Sequence, residues 1–363
     1  MRIVYITPVY PSLTNPNRGI FVYRMIDEWR RQGVEVYVIA PQRLGIIRHR
    51  NRFAIDGELF DAQRPLHFVL SKVMAEGTAI RAVADYFCMR ACEKYVKRKK
   101  PDVIVGKFLL TGGIFAAKIG RKYSIPSVID AGDSVNLTTL RWGHQKRIKE
   151  TLKTVAGIYC VSSRIRDQIR NIYGYSRQIA VFQNTAPDYF TKLEKKTCRD
   201  NLNLSSDKKI ILFVGQFIER KGPDRIVKAL RYLPSCFHAV FIGEGGMKLG
   251  GERVLRSSPC PNEELPLWMN AADVFCMPTR NEGCSNAVAE AMACGMKMVV
   301  SDTLDMKEQV RDYPAIFIDQ EDPVAIAKGI LQAQEMSLNG VERKKISIQE
   351  RSQSIFNFIK RCT

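Results

Sequence analysis

An α/β protein of two doubly wound, parallel-sheet domains facing a shared cleft is the fold this sequence predicts, on three observations. Short β-branched apolar runs alternate with segments of helical period along the whole chain, and strands separated by helices imply parallel pairing through crossovers. The alternation pauses once, at a polar stretch over residues 191–209, and then restarts. The chain has 363 residues, enough for two cores at roughly 100 to 200 residues per domain.

Taken in order, residues 2–7 (RIVYIT) read as a strand, 21–32 as a helix and 34–40 (VEVYVIA) as the next strand, with Gly33 stopping the helix between them, as a C-terminal glycine does. Further strands are predicted at 103–105, 127–129, 157–161 and 178–182, and helices at 78–99, 111–123, 144–154 and 163–172. After the pause come a strand at 210–214 (IILFV), a helix at 224–232 and strands at 239–242, 274–277, 298–300 and 315–318, with a helix at 287–294 between the strands at 274–277 and 298–300. The expected domains are 1–190 and 191–345, with a linker near 184–208. The tail, 346–363, holds a separate helix that can pack against either domain, the N-terminal one included. In such an arrangement ligands bind outside the carboxyl ends of the strands.

Composition excludes several classes. Hydrophobic residues make up 45% of the chain and charged ones 26%, which argues against disorder and against a fibrous protein. No apolar run approaches the roughly 18 to 20 residues of a membrane span, and the start is too short and strand-like for a signal peptide; a cytoplasmic protein is expected. The ten cysteines show no CxxC pair and no metal-ligand spacing, so buried reduced thiols are expected. The formal net charge is +19, and it is uneven: residues 1–190 carry 31 basic and 15 acidic side chains, the remainder 25 and 22.

The segment with most chemistry is 281–295, NEGCSNAVAEAMACG. Glu282 and Glu290 are eight apart, separated by a Gly283-Cys284-Ser285-Asn286 turn that opens an apolar helix. Free backbone N–H groups at a helix start cradle phosphate, and Ser285 and Asn286 are residues that cap such a start. Glu290, about one turn into the helix, is placed to reach a ribose diol, and Glu282, before the turn, to face the next sugar ring. The expected ligand of two carboxylates so spaced about a phosphate cradle is a nucleotide diphosphate sugar.

This segment resembles the E-x7-E motif of the large retaining glycosyltransferase family four, which has the GT-B fold of two Rossmann-like domains and is typified by group 1 enzymes of bacterial surface polysaccharide synthesis. Other pieces follow in the family's order: ILFVGQFIERKGPDRIVKAL from Ile210, AVFIGEGG from Ala239, NEELPLWMNAADVFCMPT from Asn262, and, in the first half, the blocks around residues 2–41 and 101–134. The resemblance implies a UDP- or GDP-sugar donor and no cofactor. It implies no metal either, since no Asp-x-Asp stands where metal-using transferases place it. Lys221 and the helix N-terminus would stabilise the leaving diphosphate by preorganised charge. Gln216 stands where the family usually has Arg, with Arg220 nearby to compensate. Gly19 is the candidate for the family's glycine loop at the donor phosphate. Many relatives carry a His after the strand at 127–129; this chain has Asp130-Ala131-Gly132-Asp133-Ser134, and Asp133 is either the base that accepts the incoming hydroxyl's proton or a cap. His144 reads as a solvated helix residue or a cleft residue. Glu282 would hold donor hydroxyls while the leaving phosphate takes the acceptor's proton.

The surplus charge of residues 1–190 falls on the domain that faces the acceptor in GT-B enzymes. Arg43, Arg48, Arg50 and Arg52 lie among Leu44, Ile46, Ile47 and Phe53, and the helix at 78–99 ends in Lys97-Arg98-Lys99-Lys100. Such mixtures suit an anionic membrane surface, hence a peripheral protein at the inner face of the plasma membrane acting on a glycan or lipid-linked glycan; a solvated basic face is the alternative. A nucleic-acid binder would want interleaved aromatics or a recognition helix, and neither pattern stands in the sequence. A nucleotide-sugar epimerase of the same fold and a non-catalytic basic binding protein remain as rival readings.

Overall fold

The central apolar runs, at residues 3–6, 103–107, 127–131, 157–160, 210–214, 274–277 and 298–301, form strands buried on both faces, the environment of a parallel strand covered by crossover helices, while the strands at the sheet edges are partly exposed. The computed structural model of the protein describes residues 1–11, 18–40, 52–55, 58–61, 79–132, 137, 140, 142–338, 340–341 and 346–363. In the first half the order is β1 (Arg2–Ile6), α1 (Ile20–Arg31), β2 (Glu35–Ile39), β3 (Arg52–Ile55), β4 (Glu58–Asp61), α2 (Ala79–Lys99), β5 (Val103–Lys107), α3 (Gly113–Tyr123), β6 (Ser127–Ala131), α4 (Trp142–Leu152), β7 (Gly157–Cys160), α5 (Ser163–Tyr173) and β8 (Gln178–Val181). β3 and β4 pair antiparallel as a separate ribbon; the other six strands form one parallel sheet in the order β2-β1-β5-β6-β7-β8.

The second half repeats the plan: α6 (Lys195–Asn201), β9 (Lys209–Val214), α7 (Pro223–Ala229), β10 (Phe237–Ile242), β11 (Val254–Ser257), α8 (Leu265–Ala271), β12 (Val274–Met277), α9 (Asn286–Cys294), β13 (Lys297–Ser301), α10 (Leu304–Gln309), β14 (Ala315–Ile318), α11 (Pro323–Glu335) and α12 (Ile348–Arg361). Its parallel sheet runs β11-β10-β9-β12-β13-β14. The fold is thus the doubly wound pair that the alternation predicts.

Four differences from the sequence reading have physical causes. Residues 195–201, inside the stretch read as linker, form helix α6, because Glu194 caps it by accepting from the amides of Lys196 and Thr197 and buried Arg199 donates to the Ala271 carbonyl and Asp273. The helix expected at 224–232 ends at Ala229 and tightens into a 3-10 turn over Leu230–Tyr232. The short elements β11, α8 and α10, with the longer α11, were not predicted. In α2, Cys92, Tyr95 and Val96 point into the domain's own core against Val4, Ile6 and Ile104, so these apolar residues are not offered to a membrane. The cations at its end lie over rings: Lys99 Nζ is 3.8 Å from the Tyr37 centroid and Arg98 5.2 Å from that of Tyr95. Most cysteines are buried, and none is disulfide-bonded.

The final helix completes the first core. Ile355, Phe358 and Ile359 of α12 are buried with Trp29, Val128 and Tyr159, the Trp29 indole N–H donates to the Ser352 carbonyl at 2.8 Å, and Phe358 meets Tyr159 and Phe182 edge-on at 6.3 and 6.1 Å. Phe358→Ala is expected to destabilise the protein by about 3–5 kcal/mol, read as a lower urea midpoint; an unchanged midpoint would show that α12 is dispensable to that core.

Candidate functional site

A cleft of about 810 Å³ lies between the two halves, lined by Lys107 and Asp130 at the ends of β5 and β6, by Val214 and Ile242 at the ends of β9 and β10, and by the start of α9. The carboxyl ends of both sheets therefore meet around one space, where α/β folds bind ligands. Two glycines keep its floor open. Gly215 and Gly243 follow β9 and β10 with φ of 154° and 149°, and a Cβ on Gly243 would fall 1.9 Å from the Gly215 carbonyl oxygen, so neither tolerates a side chain.

Glu282 is 6% exposed and takes two cations on one oxygen: Lys221 Nζ at 2.5 Å and Arg220 Nη1 at 2.9 Å. Arg220 also donates to the Asn281 carbonyl. A buried carboxylate needs such partners, and the loop after β9 supplies both. From the other half, Arg164 at the start of α5 reaches across: its Nε is 2.5 Å from Asp305, and its Nη2 donates to Asn281 Oδ1 at 3.3 Å and the Glu282 carbonyl at 3.4 Å.

The turn expected to cap α9 does so, since Ser285 Oγ accepts from the Val288 amide. Ser285's own amide is not open to a ligand, however: it donates to Gln309 Oε1 at 2.9 Å, while Gln309 Nε2 donates back to the Ser285 carbonyl at 2.6 Å. The anion cradle narrows to the amides of Asn286 and Ala287, two of the first-turn donors that a helix leaves unpaired. Cys284 is fixed by Asn184, whose amide donates to its Sγ and whose Nδ2 donates to its carbonyl at 2.8 Å. Burial pushes this thiol up to about 12, far from a thiolate nucleophile.

Glu290 also faces the cleft and is 8% exposed. Burial drives its carboxyl up to about 7, against the pull of Arg24 in the opposite direction. Arg24 comes from α1 in the first half and is itself held by the Tyr189 hydroxyl, with its guanidinium 5.3 Å from that ring. The two motif carboxylates thus differ: Glu282 is clasped by cations, Glu290 is desolvated.

Of the other residues singled out in sequence, Gln216, Gly19, Cys284, Ser285 and Asn286 line the cleft, whereas Gly283 and His144 do not; Gly283 is buried behind it. Gly19 has a local reason to be glycine, with φ at 71° and a would-be Cβ 2.6 Å from the Val9 carbonyl. Asp133 and Ser134 lie outside the described residues, as do Arg43, Arg48 and Arg50. Sequence reasoning missed Arg164, Gln309, Arg24 and the Lys107–Asp130 pair, all joined to the site by contacts distant along the chain. Among the described residues no group of three or more His, Cys, Asp or Glu is placed to hold a metal, and no helix is long and apolar enough to cross a membrane.

Two family descriptions match this chain in sequence: "Glycosyltransferase Family 4" over residues 19–186 and "Glycosyl transferases group 1" over residues 194–353. The chain belongs to the family 4, group 1 glycosyltransferases. A relative from Bacillus subtilis, named for glycosyl transfer in teichuronic acid biosynthesis (TuaC), is 24% identical over 354 residues, covering 91% of this chain and 88% of its own. Among solved structures, the sucrose-phosphate synthase of Thermosynechococcus elongatus superposes with a TM-score of 0.77 at 15% identity, over 99% of both chains. Anabaena HepE, solved in complex with UDP and glucose, gives 0.71 at 12% identity, again over 99% of both chains. These likenesses establish the GT-B fold of this glycosyltransferase.

The burial of Glu290 has a pH signature. The folded protein keeps its proton up to about pH 7, whereas an unperturbed glutamate loses it near 4.5, so this residue makes stability fall as pH rises between those values. Glu290→Gln should therefore match the parent's melting temperature below about pH 4.5 and exceed it at about pH 8. A constant difference across that range would refute the desolvated state.

Proposed function

We propose that this glycosyltransferase moves a sugar from a UDP- or GDP-sugar, with retention of anomeric configuration, to a glycan or lipid-linked glycan acceptor in cell-surface polysaccharide synthesis. The observation that carries the reading is the pairing, in one cleft, of a carboxylate clasped by Lys221 and Arg220 with a second carboxylate one turn into a helix whose first amides face the same space. Donor diphosphate competes with Glu282 for Lys221 and Arg220 and takes the amides of Asn286 and Ala287, so that charge building on the leaving oxygen meets fixed dipoles and cations. Arg220, beside Lys221, supplies the guanidinium that the family usually carries at the position of Gln216; Gln216 then offers only an amide at the cleft wall. Glu290 takes the ribose diol, and Glu282, released from part of its cation clasp, takes hydroxyls of the transferred sugar, with the Gly283-to-Asn286 turn shaping that pocket and Gly19 bringing the first half's backbone near the phosphates. The leaving phosphate takes the acceptor hydroxyl's proton, with Asp133, which follows Gly132 in the chain after β6, as the alternative base. The positive charge comes from the protein, so turnover should survive EDTA.

The teichuronic acid name of the Bacillus relative and the UDP in HepE support the substrate class. For the membrane, the buried apolar side of α2 shifts the reading to a charge contact: Lys97 and Arg98, with the arginines of residues 43–52, meet anionic headgroups without insertion.

Incubation with a panel of UDP- and GDP-sugars should raise the melting temperature for one donor. With that donor, Glu282→Gln, Glu290→Gln and Lys221→Ala should each lower turnover by about 100-fold or more with folding intact; unchanged kinetics in all three would sink the site. Release of a modified nucleotide sugar without an acceptor would point to an epimerase instead. Anionic liposomes should co-sediment the protein in a salt-sensitive manner, and reversal of Arg48, Arg50 and Arg52 to Glu should abolish this; binding indifferent to both salt and reversal counts against the membrane contact.

A further inference from the structure

A second charged pair faces the cleft from the opposite wall. Lys107 ends β5 and Asp130 stands beside it in register on β6. They are 5% and 3% exposed, with Lys107 Nζ 2.9 Å from both carboxylate oxygens, and the Tyr5 hydroxyl donates to Asp130 Oδ2 at 2.5 Å. An ion pair withdrawn this far from water gives little net stability compared with two apolar side chains, and the neighbouring strand positions, Val105 and Ile129, are apolar and fully buried.

The surroundings are shaped for the ammonium. Phe21 and Phe108 place their ring centroids each 5.2 Å from Nζ. Phe108 itself adopts φ of 65°, unfavourable for an aromatic residue, and opens a π-helical turn over Phe108–Gly112; both features occur where a site is held in place against local preference. Gly132 makes room, since a Cβ there would lie 2.6 Å from Nζ. An ammonium has three N–H donors, and Asp130 takes two. On the same wall Arg18 and Arg24 add two further cations, and among the described residues Asp130 is the only carboxylate the first half gives to the cleft lining.

We propose that Lys107, held by Asp130 and framed by Phe21 and Phe108, is a phosphate-oxygen subsite on the first-half wall of the cleft. It binds through its third N–H, aided by Arg18 and Arg24. The phosphate comes either from the donor's diphosphate or from a phosphate carried by the acceptor. The inference rests on the donor reading above only for the first source.

The double variant Lys107→Met/Asp130→Asn removes the pair without stranding a charge, and Lys107→Arg keeps the cation. Calorimetric titrations use two probes: UDP alone, and inorganic pyrophosphate added to UDP-saturated protein. The double variant should lose about tenfold affinity for one probe, with Lys107→Arg nearer the parent. Loss confined to UDP assigns the donor's diphosphate, and loss confined to pyrophosphate assigns the acceptor's phosphate. A pair that is only structural would lower the melting temperature and leave both affinities unchanged, which overturns the proposal. Should the double variant fail to fold, Gly132→Ala, which displaces only the flexible end of Lys107, must show the same loss, and its absence overturns the subsite equally. A parent protein that binds neither UDP nor GDP sinks the donor reading, and the subsite is then judged on pyrophosphate alone by the same criterion.

Discussion

Glu282 can sit out of water at the meeting of the two halves because Lys221 and Arg220 both reach one of its oxygens. That requirement sets much of the architecture around it. The loop after β9 must turn sharply enough to deliver two adjacent cations, which the close approach of Gly215 and Gly243 makes possible. The backbone of the same residue is gripped from the other half by Arg164, itself anchored on Asp305. Charge satisfaction at one carboxylate thus ties the donor-side loop, the motif turn and the first-half helix α5 into one assembly.

Against that background the two motif carboxylates do different jobs for environmental reasons. One is surrounded by cations; the other has only distant help from Arg24 and is dominated by burial. Two identical side chains eight residues apart thus acquire different surroundings from what packs against them, and burial raises the pKa of Glu290.

The strands and long helices were legible because their signals are local: alternation, a capping serine, a stopping glycine. The pair Glu282 and Glu290 was legible for the same reason, since spacing along one turn and one helix start fixes their relation. Short elements such as α8 and α10 escaped, because six or seven residues give too little periodicity to distinguish from loop. Helix α6 escaped for another reason, as its stability comes from Arg199 reaching residues 271 and 273. Arg164, Gln309 and Lys107 belong to the same class: each looks like an ordinary polar residue until the partner across the fold is known. The basic end of α2 shows the converse, where Cys92, Tyr95 and Val96, lying just before cations read as part of a mixed apolar and cationic surface, are core.

The chain passes between its two halves twice, from β8 towards α6 and back from α11 to α12. A single guanidinium joins the two passages: Arg351 of α12 donates to the carbonyls of Phe182 and Gln183 and to Asn184 Oδ1. Asn184 receives that guanidinium and in turn holds Cys284 through its amide and its Nδ2. A relay of two residues therefore links the crossing of the chain to the motif turn, so the position of Cys284 in the cleft is set by where the last helix docks as much as by the second half's own sheet.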